Sequence, residues 1–281
     1  MVLPAANQRP LIRLAIADID GTLVTDKKLL TTRSVEAVRR LNEAGIIFGV
    51  TTGRPPAGVR MLVEALPHLR FIAGFNGAVV VNRDFQQFKQ NLLPPEKAKQ
   101  VVQIILGHKI DVWLYTDKDW FVRDPQAYRV DPEQRTVQFP PKVTPTFDGL
   151  FDRVAKIVGV SENDETVARC EKNVQEICGS TVSAARSQPY YLDVTHPNAN
   201  KGEVVLMASE FFNIPTQEIA TIGDMANDIT MFRKSGMSIA MGNASPEVQR
   251  AANCVTASNK EEGFALAVEE FILPQQDASA A

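Results

Sequence analysis

Cysteine and histidine are scarce in this chain, three of each among 281 residues. Cys170, Cys178 and Cys254 show no CxxC spacing, and His68, His108 and His196 are scattered. Neither a disulfide framework nor a zinc centre has the ligands it needs. Free, reduced thiols are the expectation, and with them a cytoplasmic protein. Long apolar runs are missing as well. None approaches the ~20 residues of a membrane-spanning helix, and the opening MVLPAANQRP lacks the charged start and apolar stretch of a secretory signal. Nor does one sign of charge dominate. Thirty basic and 33 acidic residues leave a formal net charge of -3, which gives no general reason to bind nucleic acid or anionic membrane. What is present, 44% hydrophobic and 22% charged residues, is the composition of a globular chain that can bury a sizeable core.

The beginning of the chain alternates between two patterns. Leu11 to Ala17 reads as a buried strand. Thr32 can cap a helix with apolar positions at Val35, Val38 and Leu41, which Gly45 ends. Ile46–Thr51 is the next strand, Pro55 and Pro56 open a second helix, and Phe71–Ala73 is a short third strand. Strand, helix, strand, helix, strand is the signature of a parallel sheet with crossover helices. The middle is different. A helix from about Pro95 to Leu106 precedes DVWLYT and DWFVRD, split by a turn at Asp117-Lys118. Asp131–Pro145 reads as irregular, followed by VAKIVGV, a helix over roughly 162–178, TVSAA and YYLDVT. Strands grouped as hairpins suggest an inserted α+β module. From Lys201 the alternation returns, and the tail QQDASAA is small and polar enough to be disordered. The expected fold is α/β: a doubly wound, mostly parallel sheet from residues 1–83 and 190–281, interrupted by a module at 84–189.

In such a sheet ligands bind outside the carboxyl ends of the strands. Asp18 and Asp20 stand at one such end, in ADIDGT. Thr52 stands at another, in VTTGR, and Asp224 at a third, in TIGDMAND. Helical spacing would put Asn227 and Asp228 on the same face as Asp224, where like charges four residues apart repel. Four carboxylates in one crevice cannot all ionise cheaply without a positive partner. A site rich in oxygen, with no His or Cys, suits a hard cation, and Mg²⁺ is the natural candidate. Lys201 at a helix start and the turn at Thr52-Gly53 add an ammonium, a hydroxyl and backbone N–H groups that favour an anion. Singly, each has an ordinary explanation as a turn, a helix cap or a surface lysine. Their convergence describes a cradle for phosphoryl transfer.

DIDGT, TTGR, KGE and GDMAND, in that order, resemble the four motifs of haloacid-dehalogenase-like (HAD) hydrolases. The chain is most similar to the Cof-type phosphatases, which carry a large α+β cap of the C2 type between the second and third motifs. The resemblance implies a Rossmann-like core and a reaction through an aspartyl-phosphate. Asp18 would be the nucleophile, and Asp20 the acid that protonates the leaving oxygen and then activates water. Mg²⁺ would be held by the Asp18 carboxylate, the Asp20 carbonyl and Asp224, with Asp228 nearby or acting through water. Thr52 and Lys201 would bind the phosphoryl group, helped by the Gly53 N–H and Asn227. The cap, by this resemblance, selects the substrate.

Arg54, Asn76 and Asn243 also stand at strand ends and are candidates for the cleft. Trp113, Trp120 and Tyr115 alternate along cap strands as sheet packing does. The function expected is a Mg²⁺-dependent phosphatase acting on a small phosphorylated metabolite, with a sugar phosphate leading and nucleotide-like or cofactor phosphates behind. A sugar phosphomutase of the same superfamily and a non-catalytic sensor of a phosphorylated ligand are the alternatives. No nucleic-acid or membrane partner is expected, and the assembly is a monomer or small homo-oligomer.

Overall fold

The computed structural model describes residues 11–273. The expectations for the opening decapeptide and for QQDASAA lie outside them. The first part runs β1 (Leu14–Asp18), α1 (Thr32–Glu43), β2 (Ile47–Thr51), α2 (Arg60–Ala65), β3 (Leu69–Gly74), β4 (Val79–Asn82) and β5 (Gln87–Gln90). The middle contains α3 (Pro95–Gly107), β6 (Asp111–Thr116), β7 (Trp120–Val122), α4 (Val130–Val137), β8 (Lys142–Val143), β9 (Val154–Val160), α5 (Asp164–Cys178), β10 (Ser183–Gln188) and β11 (Tyr191–Thr195). The last part adds α6 (Lys201–Phe212), β12 (Ile219–Gly223), α7 (Ile229–Phe232), β13 (Met237–Ala240), α8 (Pro246–Ala251), β14 (Cys254–Val255) and α9 (Gly263–Ala267).

Two sheets organise these elements. The larger has eight strands in the order β14-β13-β12-β1-β2-β3-β4-β5. Its pairings are parallel from β14 to β3, and β4 and β5 add an antiparallel edge. β1 lies between β2 and β12, and all five of its residues are buried. That is why LAIAD reads as an unbroken apolar run until its final carboxylate. The chain winds outward from β1 in one direction and, much later, outward from β12 in the other. The switch between them opens a crevice at the carboxyl ends of β1 and β12. The first helix differs slightly from expectation: its cap is Thr31, not Thr32, and the Thr31 side chain accepts from the Ser34 N–H. Extended φ and ψ at Thr31 leave its hydroxyl beside the free N–H groups of the first turn.

The smaller sheet has six strands in the order β10-β11-β9-β6-β7-β8, antiparallel except for β7–β8. Its alternation is plain in β6. Val112 and Leu114 belong to an apolar cluster shared with Val101 and Ile105 of α3 and Val167 and Val174 of α5. Trp113 and Tyr115 turn the other way and join the cluster that runs into the large sheet. The segment 131–145 is not irregular throughout, since α4 occupies its start. Pro132 falls in the first turn, where a missing N–H costs nothing, and Val130 and Val137 anchor the helix. Among the described residues no helix is long and apolar enough to cross a membrane.

Candidate active site

Three buried carboxylates meet at the crevice. Ligand oxygens of Asp18, Asp224 and Asp228 lie within 4.8 Å of one another. Asp18 ends β1, and Asp224 directly follows β12. Asp228 does not sit on a shared helical face with Asp224, as the spacing had suggested. A short 3₁₀ turn over Ala226–Asp228 intervenes, and Asp228 folds back on the chain before it. Its Oδ2 accepts from the Asp224 N–H at 2.9 Å and the Met225 N–H at 2.8 Å. The charge that would have burdened a helix thus satisfies two orphan donors at its start.

Among the described residues Lys201 supplies the one ammonium inside this cluster. It opens α6 behind the cap residue Asn200 and is 2% exposed. Its Nζ donates to Asp18 Oδ1 and to Asp228 Oδ1, both at 2.5 Å. Three carboxylates then share one buried cation. Burial pushes the Asp18 carboxyl up to about 8, against the pull of Lys201 and with the help of Asp228. Burial likewise lifts Asp224 to about 6, while the Thr22 hydroxyl holds it down and Asp228 pushes it up. For Lys201 burial acts to lower the pKa, but Asp18 and Asp228 outweigh it and raise it. Acids and base move the same way: the cluster retains protons because it is short of positive charge. An oxygen-only donor set with excess negative charge fits a hard divalent cation, and the buried triad is consistent with such a site.

Residues around the triad hold it in shape. The Thr22 hydroxyl donates to Asp224 Oδ1 at 2.8 Å. Asn243 Nδ2 donates to the Gly21 carbonyl at 2.9 Å and to Asp224 Oδ2 at 3.3 Å. Gly21 has φ +84, and a Cβ there would stand 2.3 Å from Asp224 Oδ2, so only glycine fits. Asn243, expected only somewhere in the cleft, therefore ties the first strand end to the β12 end.

Asp20 is held apart from the triad. Arg54 grips it with Nε on Oδ2 at 2.7 Å and a terminal nitrogen on Oδ1 at 2.5 Å, and Lys28 Nζ adds a contact of 2.6 Å. Burial favours its neutral form, yet the Arg54 and Lys28 contacts hold its carboxyl below the usual range. As described, Asp20 is a carboxylate and not yet a proton donor. Arg54 faces a neighbouring acid rather than open cleft. Lys28 carried no signal in the sequence, because it lies on a loop outside every motif.

The Thr52 turn completes the arrangement. Thr51 pairs with Asp18 across β1 and β2, so Thr52 and Gly53 follow at the same end of the sheet. The Arg54 N–H donates to the Thr52 hydroxyl at 3.2 Å, and the Asn76 N–H to the Thr52 carbonyl at 2.7 Å. Asn76 is left-handed, φ 56, and its Oδ1 accepts from Asn227 Nδ2 at 3.3 Å. Asn76, Asn227 and exposed Gly53 thus line one rim, with Arg54 beside Asp20 below it.

Comparison with known proteins agrees with this geometry. Residues 15–268 match the family model of the haloacid dehalogenase-like hydrolases. A protein of Haemophilus influenzae is 30% identical over 259 residues, 92% of this chain and 97% of that one. A 5-amino-6-(5-phospho-D-ribitylamino)uracil phosphatase of Bacillus subtilis is 24% identical over 282 residues, 92% of this chain and 97% of that one. A solved haloacid dehalogenase-like hydrolase from Bacteroides thetaiotaomicron has a TM-score of 0.84 at 27% identity, covering 92% of this chain and 98% of that one.

Proposed function

Since this chain belongs to the haloacid dehalogenase-like hydrolases, we propose that it is a Cof-type phosphatase that hydrolyses a sugar phosphate through an aspartyl-phosphate on Asp18, with Mg²⁺ as its cofactor. It is a phosphoric monoester hydrolase acting on small phosphorylated metabolites. One observation carries the finer reading: Asp18 ends a buried strand, within 2.5 Å of the Lys201 ammonium, inside a triad of carboxylates.

Asp18 attacks phosphorus with its free oxygen, while Lys201 on the other oxygen holds the carboxylate in place. The Thr52 hydroxyl, the Gly53 N–H and Asn227 receive the phosphoryl oxygens. The P–O bond to the leaving group breaks, and Asp20 gives that oxygen its proton. Asp20 then takes a proton from water, which displaces Asp18 from phosphorus and releases phosphate. Before donating, Asp20 must exchange its clamp for a proton. An incoming phosphoryl group, itself an anion, competes for the same Arg54. Asp18, Asp224 and the Asp20 carbonyl would hold Mg²⁺, with Asp228 behind them, and bound there it would offset the phosphoryl charge.

The division into a core of 1–83 and 190–281 and a cap of 84–189 belongs to the proposal. The pairing of Gln87–Gln90 in the large sheet and Tyr191–Thr195 in the small one favours edges near 91 and 196. The same reading has the enzyme cytoplasmic, in keeping with the burial of Cys170, Cys178 and Cys254 without a disulfide between them. It would work as a monomer or small homo-oligomer, with neither nucleic acid nor membrane as partner.

The test is phosphate release from a panel of phosphorylated metabolites, with Mg²⁺ and with chelator, for the wild type and Asp18→Asn. Release that requires both Mg²⁺ and Asp18 supports the reading. Metal-independent release, or an active and folded Asp18→Asn, overturns it.

A further inference from the structure

A groove of about 540 Å³ lies at the other end of the large sheet from the crevice. Small-molecule sites have volumes of roughly 300–1,000 Å³. The start of β3, the turn from β4 to β5 and the end of α6 line it. Helix α6 spans the distance between the two places. Lys201 begins it in the crevice, and Phe211 and Phe212 lie at the groove, where it ends. Its 12 residues separate them by roughly 18 Å.

One wall of the groove is aromatic. The ring centres of Phe88 in β5 and Phe211 in α6 are 4.8 Å apart, and Phe212 stands 5.0 Å from Phe211, edge to face. Phe212 is anchored on Phe71 in the core, at 5.8 Å, whereas Phe211 is 58% exposed. A lone exposed ring needs no explanation. This one stands beside two others in a concave wall and leaves more than half of its surface to solvent.

The charges beside these rings are mostly basic and unspent. Arg70 and Arg83 both line the groove, and among the described residues neither forms an ion pair. Arg83 Nη2 donates to the Val63 carbonyl at 3.0 Å, and its buried Nε has no partner. A guanidinium held by one bond, with a donor already unpaired, gives up little by turning onto an anion. Its planar fork suits a carboxylate. Asp84 is the single acid among the lining residues. Two guanidiniums and one carboxylate leave one positive charge, which balances a monoanion, whereas a phosphate dianion would face Asp84 at a cost. A second copy of the chain suits the place less. β5 is the outer strand of the sheet, but it has only 4 residues and carries Lys89, and short edges with a lysine resist pairing.

We propose that the groove is a second binding site, apart from the phosphoryl crevice, for a flat aromatic compound that carries one carboxylate. The ring lies against Phe88 and Phe211, and the carboxylate takes Arg83 and Arg70.

The test is calorimetric titration of the full chain with indole-3-acetate as the probe. Two controls run beside it: 3-methylindole, which lacks the carboxylate, and cyclohexylacetate, which lacks the flat ring. Saturable binding of one indole-3-acetate per chain is expected, at least tenfold tighter than either control. Arg83→Met and Phe211→Ser should each weaken it at least tenfold, with Arg83→Gln and Phe211→Ala as replacements if either fails to fold. Excess inorganic phosphate with Mg²⁺ should leave the binding unchanged. Absence of saturable binding at millimolar probe would overturn the proposal. So would controls that bind equally well, binding that the variants leave unchanged, or competition by phosphate, which would put the probe in the crevice. Sedimentation of the free chain covers the other occupant: a dimer that Phe211→Ser dissolves would put a second copy in the groove and overturn the proposal as well. Binding needs no turnover, so a failure here leaves the phosphatase reading standing.

Discussion

The two sheets bury their polar groups differently. At the carboxyl ends of β1 and β12, Asp18, Asp224, Asp228 and Lys201 are all buried, and each has at least one short partner. On the inner face of the cap sheet, Trp113, Arg129 and Asp193 each bury an atom that has none. At those strand ends the partners of the four charged groups come from the chain itself, although Thr51 Oγ1 in β2 and Arg83 Nε elsewhere in the core have none. In the cap three such atoms have no partner among the described residues. The contrast separates a charged crevice whose groups are held by one another, as preorganised electrostatics requires, from an aromatic face that packs and, among the described residues, carries no carboxylate triad.

The strongest challenge to this contrast is Asp18→Asn. It should lower turnover on every substrate by more than roughly a thousandfold. The fold should survive, with an unchanged or higher melting temperature, because one crowded carboxylate has lost its charge. A cap variant with an equal loss on every substrate would erase the distinction.

Next is Lys201→Ala. Breaking a buried pair by removing one partner costs roughly 3–5 kcal/mol, since the other charges stay buried. Urea unfolding in chelator should show that loss, and Mg²⁺ should recover part of it. A stability within experimental error of wild type would mean that Asp18 and Asp228 do not need the ammonium.

The third prediction concerns pH. Asp18 and Asp224 titrate in the folded chain near 8 and 6 instead of 3.8. Each raised carboxyl favours the folded state fully below about pH 4. That contribution is lost as pH rises through about 6 for Asp224 and about 8 for Asp18. In chelator, the site should therefore lower the melting temperature as pH rises between those limits, and Asp18→Asn should weaken the trend. Saturating Mg²⁺ should flatten it. A wild type and Asp18→Asn with the same pH slope in chelator would count against the shifts.

The smallest effect is expected from Tyr115→Phe. It removes one hydrogen bond, to Glu133, and should cost about 1 kcal/mol of stability. Turnover of p-nitrophenyl phosphate should not change. A large loss on that substrate would place the cap face in the chemistry itself.

Much of the core was legible in the sequence. A run such as LAIAD ending on a carboxylate reads as a central parallel strand, and the crevice position of Asp18 and Asp224 follows from the topology. The Thr52–Arg54 turn could be placed for the same reason. Contacts that join distant segments could not. Lys28 reaches Asp20 from a loop with no periodicity, and the two bonds of Asn243 depend on how the ends of β1 and β12 meet. Asp228 was found but its geometry misjudged, because a spacing of four suggests a helix and cannot reveal a 3₁₀ turn that folds back. In the cap, Pro132 and neighbouring polar residues hid α4. Trp113, Trp120 and Tyr115 read as sheet packing and are buried against one another, whereas the unpaired Trp113 indole N–H becomes visible only once every neighbour is placed.

The most direct measurement is to quench the enzyme during turnover with Mg²⁺ and a good substrate, reduce it with borohydride and map its peptides by mass spectrometry. Hydride converts an aspartyl-phosphate to homoserine. Homoserine at position 18, absent when chelator replaces Mg²⁺, is the result this account predicts. Active enzyme with no modified aspartate, or with homoserine at another position, would contradict it.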